Sequence, residues 1–377
     1  MKSKALKIAV LGRGLIGSAA ARHLSKMGHK VLLIGPPEPT TSYAAHGGVF
    51  GSHYDEGRIT RRLELHPYWM QMNQASISRY GEIAAESGID FYREVGVLHI
   101  GALDSPDVAL IEGIANANGV PYESLEDKAL AGRFPFLRTV KHMRGVFESS
   151  DAGYISPRRL VQAQTVAARR AGACFVNEPA LGISECSSGV TIKTKSGSVT
   201  VERVLVTAGG HTPSLLGKTF GFKVLARTAA MFRLGESEAR RLADMPSMRY
   251  FGPSGISQYI LPPIAYPDGH VWLKLGGDPV DVELEDEASI KEWFRSGGSY
   301  SVADYLQAQI LDRIRDLRFE ARRVVPCMTT FSDSGLPQIG LISNHVAVAF
   351  GCQGKSAKCS DEMGRLGGMA VLGKTRL

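Results

Sequence analysis

Gly12-Arg13-Gly14-Leu15-Ile16-Gly17 constrains this chain more than any other feature, because of what stands on either side of it. The apolar run Ile8 to Leu11 reads as a strand, and the alanine-rich segment to about Met27 reads as a helix that Gly28 ends. Val31 to Ile34 follows as a second apolar strand. Strand, G-x-G-x-x-G, helix, strand is the order of a dinucleotide fingerprint. Gly12 permits the tight turn, Gly14 lets backbone approach a pyrophosphate, and Gly17 lets the helix pack close to the sheet. The first helical turn, with Leu15 and Ile16, offers free N–H groups to an anion.

One part of that pattern is missing. The second strand usually ends in an acidic residue that binds the ribose hydroxyls. Here it ends Ile34-Gly35-Pro36-Pro37, and Glu38 is the first carboxylate. Glu38 reaches the ribose from a displaced loop, or backbone groups replace it, or it is a solvated loop residue; the sequence leaves all three open.

Composition sets the limits. A chain of 377 residues exceeds a single core of typical size, so two intimately connected domains are expected. No apolar run approaches a membrane span. The start, MKSKALKIAVLG, passes straight into the glycine loop and reads as a first strand, not a secretory signal. Five cysteines with no C-x-x-C pair indicate neither a disulfide framework nor a structural zinc site, and no metal site is expected. A reduced, cytoplasmic protein is the simplest reading. The net charge of +7 comes from scattered basic residues, as at Arg58, Arg61 and Arg62, at Arg169 and Arg170, and at Arg322 and Arg323, with no alternating aromatics. That argues against a nucleic-acid partner.

The fingerprint does not continue as simple βαβ repeats. Tyr80 to Gly88 and Arg158 to Arg170 look helical, while Val190 to Val206 alternates like antiparallel strands. Then a strand meets Thr207-Ala208-Gly209-Gly210 before a helix, and His345 to Gly373 repeats strand, Gly-rich loop (Gly351, Gly354), helix. Small residues at strand tips let a bulky cofactor pass close to backbone. Three such ends, far apart in sequence, suggest a nucleotide domain assembled from separated segments. The expected division is 1–80, 151–215 and 321–377 for that domain, with 81–150 and 216–320 building a substrate domain.

Four further stretches carry a resemblance: SHYDEGRITRR (52–62), VWLKLGG (271–277), RRVVPCMT (322–329) and GCQGKSAKCS (351–360). With the fingerprint, they make the chain resemble the D-amino acid oxidase-like flavoproteins, in particular the monomeric sarcosine oxidase and N-methyltryptophan oxidase branch, from Leu6 to Gly373. The chain ends short of the C-terminal arm common there. The resemblance implies an α/β fold: a Rossmann-like FAD domain of the glutathione reductase type, interleaved with an α+β substrate domain on an antiparallel sheet. It implies FAD as cofactor, with Ser52 and His53 in the first matching loop among its contacts.

Cys327 alone could be core filler, half of a disulfide, a metal ligand or a covalent anchor. Under the resemblance it falls where these oxidases join a cysteine sulfur to the flavin 8α-methyl; a noncovalent flavin beside a free thiol is the alternative. Nearby positive charge would favour the thiolate. Arg322 and Arg323 are close in sequence, but strand alternation lets at most one share its face. Arg61 and Lys358 match the cations that hold the substrate carboxylate, Arg58 matches an arginine near the flavin, and Lys274 matches the lysine that activates O2. An ammonium flanked by apolar residues is unusual, since burying it is costly.

Departures bear on the substrate. The family's histidine after the lysine is Asp278, a tyrosine beside the site is Gln258 followed by Tyr259, another tyrosine is Thr329, and a histidine of the last loop is Lys355. A neutral aromatic cage has become polar, with one more cation. The expected reaction is oxidation of the C–N bond of a small secondary amino acid to an imine, hydrolysed to an amine and an oxo acid or aldehyde, with O2 reduced to H2O2. The expected substrate carries a second anionic group, as iminodiacetate does. Partners would be that amino acid and O2, without nucleic acid or membrane, and the protein a monomer or weak homo-oligomer. A flavin dehydrogenase with another acceptor and an NAD-dependent dehydrogenase are the alternatives. No general base is forced by the sequence; His46 and His53 precede Arg58 in a loop.

Overall fold

In the computed structural model, the described residues are 7–40, 42–138, 141–217, 220–252 and 257–374. The first six residues, which preceded the expected first strand, lie outside them, as do 375–377. Strand β1 (Lys7–Leu11), helix α1 (Leu15–Lys26) and strand β2 (Lys30–Ile34) form the expected opening unit, with β1 and β2 parallel. Around it runs a six-stranded sheet in the order Gln338–Leu341, Val346–Phe350, Arg203–Val206, β1, β2, Cys174–Val176. Strands far apart in sequence thus meet side by side, as the three Gly-rich ends suggested. Gln338–Leu341 alone runs antiparallel to its neighbour.

Close approach explains the small residues of α1. Ala19, Ala20 and Ala21 are fully buried, and the last helix, Ser356–Val371, crosses there. A Cβ on Gly364 of that helix would stand 2.6 Å from both Ala19 Cβ and Ala20 N. Larger side chains would force the helices apart and open a gap in a core packed to crystal-like density.

The second large element is a mainly antiparallel nine-stranded sheet. Its path runs Val282–Glu283, Phe222–Leu234, Val271–Gly276, Ser257–Ala265, Ser247–Phe251, Val97–Ala102, Met143–Glu148, Glu123–Glu126, and Ala321–Ser332 also pairs with Phe222–Leu234. One pair, Ser247–Phe251 with Val97–Ala102, is parallel. The strand bearing Cys327 therefore belongs to this sheet, not to the nucleotide sheet.

Period-two alternation gives the sheet two chemically different faces. Phe232, Met248, Ile260, Leu273 and Leu275 point to one side, where Leu306 and Ile310 of helix Tyr300–Arg313 cover them. The register places Arg249 opposite Tyr259, Leu261 opposite Lys274, Lys274 opposite Met231, and Arg227 opposite Cys327. Arg249, Tyr259, Lys274 and Cys327 consequently share the other face. Among the described residues, no helix is long and apolar enough to cross a membrane.

Candidate active site

The tip of the six-stranded sheet opens into a cavity of about 550 Å³, well within the range of cofactor sites. Gly12, Gly14, Leu15, Ile16, Ser52, His53, Ala208, Gly209, Cys327, Gly351 and Gly354 all line it. Gly12 has φ +110°, and a Cβ there would meet the Thr207 carbonyl oxygen at 2.5 Å. Gly17 lies behind the wall: its Cβ would stand 1.8 Å from the Gly12 oxygen, so it is the contact of helix with loop. Gly14, in contrast, faces open space, with only His53 Nδ1 at 4.0 Å from an added Cβ. Helix α1 starts without a side-chain cap and with no acidic residue in its first turn, which leaves its N–H groups for an anion. Thr329 Oγ1, also in the wall, is buried without a hydrogen-bond partner. Size, open N-terminus and orphaned hydroxyl fit a bound dinucleotide such as FAD.

Glu38 is placed elsewhere. Its two oxygens take Arg158 Nε at 2.6 Å and Nη2 at 2.7 Å, and it is not in the cavity wall, where Gly35 and Pro36 stand instead. The loop imidazole of His53 is held neutral, its pKa pushed down to about 3 by burial and then by Arg158, Arg13 and Arg58. His46 bonds the Val49 carbonyl at 3.3 Å within its own loop.

Cys327 projects half-buried into this cavity, and all five cysteines are free thiols. No group of three or more metal-ligating side chains occurs among the described residues. The cation beside its sulfur is neither Arg322 nor Arg323. Arg322 pairs with Asp304 at 2.6 Å and Arg323 with Asp268 at 2.6 Å. Arg58 does this instead, with Nη2 at 3.4 Å from Sγ, because strand β3 (Arg58–Thr60) comes across from another part of the chain.

Lys274 is 1% exposed, on a strand inside the sheet. Its Nζ donates to Asp55 Oδ2 and, at 2.8 Å, to the Gly57 carbonyl. Asp55 also pairs with Arg58 and accepts from Tyr266 Oη at 2.6 Å. Burial, then Arg58, pushes the Lys274 ammonium well below its ordinary pKa, while the Asp55 carboxylate acts in the opposite sense.

Arg61, Lys358 and Lys355 do converge, and they converge on a carboxylate of the protein itself. Glu64 is 1% exposed. Its Oε1 takes Arg61 Nη2 and lies 3.3 Å from Lys358 Nζ; its Oε2 lies 3.2 Å from Lys355 Nζ and 3.7 Å from Arg249 Nη1. Burial opposes its charge, but Arg61 and then the other three cations hold Glu64 well below the usual carboxylate range. Crowding shows in the cations: burial and then Arg61 lower Lys358 to about 7 and Arg249 to about 10.

The remaining candidates separate by strand face. Tyr259 turns toward Lys274, whose Nζ lies 5.7 Å from its ring centroid. Gln258 turns the other way, and its Nε2 donates to Tyr305 on helix Tyr300–Arg313 at 3.0 Å. Asp278 accepts from the Thr228 amide at 2.9 Å, and burial raises its pKa to about 6. Asp55, Glu64 and Arg249 were missed by sequence reasoning. A signal existed: Arg249 stands among apolar strand neighbours in Ser247–Phe251, the pattern that singled out Lys274.

Comparison with known proteins agrees with this geometry. The DAO family of FAD-dependent oxidoreductases matches residues 7–367. Peroxisomal sarcosine oxidase of Homo sapiens is 26% identical over 209 residues, 55% of this chain and 51% of that protein. N-methyl-L-tryptophan oxidase of Yersinia pestis is 28% identical over 210 residues, 55% of this chain and 54% of that one. The chain thus spans about half the length of the curated relatives it matches. Among solved structures, a variant of NikD, described as an unusual amino acid oxidase essential for nikkomycin biosynthesis, has a TM-score of 0.81 at 18% identity over 99% of this chain and 95% of that chain. Glycine oxidase from Geobacillus kaustophilus has a TM-score of 0.71 at 18% identity over 98% and 96%. At such identities the structural likeness is one of fold. The family match over nearly the whole chain goes further: this protein belongs to the DAO family of FAD-dependent oxidoreductases.

Proposed function

We propose that the protein oxidises the C–N bond of a small N-substituted amino acid to an imine, which water hydrolyses to an amine and an oxo acid or aldehyde. When bound, FAD supplies the oxidant, its isoalloxazine taking a hydride equivalent from the substrate α-carbon. The first turn of α1, with Gly12 and Gly14, would hold the pyrophosphate; Ala208, Gly209, Gly351 and Gly354 give the backbone clearance a bulky ring needs; and Cys327 would anchor the ring through a thioether. In this reading residues 1–80, 151–215 and 321–377 serve the cofactor and 81–150 and 216–320 the substrate. Cys327 then reaches the cofactor from the large sheet.

One observation carries the reading: a buried carboxylate, that of Glu64, already sits on Arg61 and Lys358. Arg61 stands three residues beyond cavity-lining Arg58, and Lys358 follows cavity-lining Ala357. A cage beside the cofactor cavity that binds one carboxylate is suited to the carboxylate of an amino acid. The cations also lower the pKa of a substrate ammonium held among them, so it sheds its proton to solvent and is present as the amine. The excess of positive charge supports a substrate with a second anionic group, of the iminodiacetate type.

Lys274 supports O2 as acceptor, because a positive charge there stabilises negative charge developing on oxygen. Its pairing with Asp55 favours a second reading, a dehydrogenase with another acceptor. Anaerobic addition of sarcosine and iminodiacetate to the yellow holoprotein, followed by aeration and a peroxide assay, tests both. Bleaching by an amine and peroxide on aeration are the expected results. Bleaching without peroxide selects the dehydrogenase, and no bleaching by any carboxylated secondary amine overturns the proposal.

A further inference from the structure

The two oxygens of Glu64 divide four cations into two pairs. Arg61 and Lys358 sit on Oε1, and Lys355 and Arg249 sit on Oε2. Among the described residues, the second pair has no other carboxylate at ion-pair distance. Arg249 Nε donates to Ser257 Oγ at 3.0 Å and its guanidinium stacks 4.7 Å from the Phe251 ring centroid, but Nη1 is buried without a hydrogen bond. Lys355 Nζ lies 5.9 Å from the Trp69 ring centroid and is 22% exposed in its side chain, so this end of the cage is the one open to solvent. Asp107 is the other acid Arg249 senses, and only at a distance.

Four cations around one carboxylate leave the buried cage strongly positive, a state that costs free energy until anions enter. A monocarboxylate compensates one charge and leaves the Arg249–Lys355 pair unmet. We infer that this pair is a second anion subsite, so that the cage takes a dianion whose two carboxylates lie a few bonds apart, one on each cation pair, with Glu64 between them discriminating against monoanions. This rests on the reading of Arg61 and Lys358 as the α-carboxylate site and names the substrate class for it.

The test reads binding as well as turnover. Malonate and acetate, which cannot be oxidised at a C–N bond, are titrated into the holoprotein while the flavin absorbance is followed. KM is then compared for iminodiacetate and sarcosine. Malonate is expected to bind at least about tenfold tighter than acetate, the equivalent of one added charge-assisted contact. Arg249→Met and Lys355→Met should each remove about tenfold of that preference while changing acetate affinity by less than about threefold. Equal affinity for the two anions, or equal losses for both in the variants, overturns the inference. Lys355→Met decides if Arg249→Met fails to fold, since its side chain reaches solvent. Malonate preference without bleaching by any amine would leave the subsite standing and sink the oxidase reading. Bleaching by sarcosine without dianion preference would do the reverse.

Discussion

Lys274 Nζ donates to Asp55 Oδ2, the buried carboxylate that also pairs with cavity-lining Arg58, so the lysine is already matched by an acid of the protein. Burial and then Arg58 push the ammonium well below its ordinary pKa, and a carboxylate at hydrogen-bond distance opposes that shift. In the proposed reaction with O2, the charge near the acceptor would be set by the pair and not by Lys274 alone.

In Asp55→Asn, Lys274 loses the partner that favours its charged form, so its pKa falls. The rate at which photoreduced flavin is reoxidised by O2 should be fast where Lys274 is protonated and slow where it is not. Its pH profile should therefore shift to lower pH by about one unit or more. Lys274→Met should slow reoxidation about 100-fold or more and abolish that pH limb. A profile unmoved by Asp55→Asn would remove the pair from the oxygen reaction.

Arg58 Nη2 lies 3.4 Å from Cys327 Sγ. Acid-precipitated wild-type protein should retain yellow colour in the pellet, and Cys327→Ser should release it to the supernatant. Arg58→Met, which removes the cation beside the sulfur, should leave most of its flavin releasable. Colour in the wild-type supernatant would reduce Cys327 to a neighbour of the flavin.

Lys358 is lowered to about 7, first by burial and then by Arg61, so it loses its charge as pH rises through neutrality. Acetate or malonate affinity should then weaken between about pH 6 and pH 8, because the protonated form binds the anion. Titrations at several pH values check this. Lys358→Met should bind anions about tenfold more weakly at about pH 6 and show no such limb. Glu64, held well below the carboxylate range, should add no second limb near neutrality.

A Cβ on Gly17 would meet the Gly12 carbonyl oxygen at 1.8 Å, which is backbone and cannot swing aside. Gly17→Ala should cost about 3 kcal/mol or more, as overpacking at a fixed contact does. The measurements are thermal unfolding and the flavin-to-protein ratio. Gly47→Ala, in the cavity wall and with no heavy atom within 4 Å of the added Cβ, is the comparison.

Much of the nucleotide half was legible because its signals are local. The glycines of the first loop, the helix ending near Gly28 and the small residues after Val206 each specify their own backbone geometry within a few residues. The six-stranded sheet and the cavity follow from them. Cys327, Arg61, Lys355 and Lys358 stood out through stretches that resemble known flavoproteins, and the structure places the first in the cavity wall and the other three on Glu64. Glu38 was ambiguous in the sequence and found its partner, Arg158, 120 residues away. Gln258 and Tyr259 were adjacent candidates that a single property separated: the face each takes on a strand whose register no local pattern revealed.

What the sequence determined by itself is the kind of ligand this chain can hold, because a glycine loop before a helix N-terminus acts over a few residues of backbone. What only the tertiary structure decided is how the charges are matched. Asp55 meets Lys274 across 219 residues and Lys355 meets Glu64 across 291. An ion pair depends on distance in space, and in a β-sheet that distance is set by register and strand order.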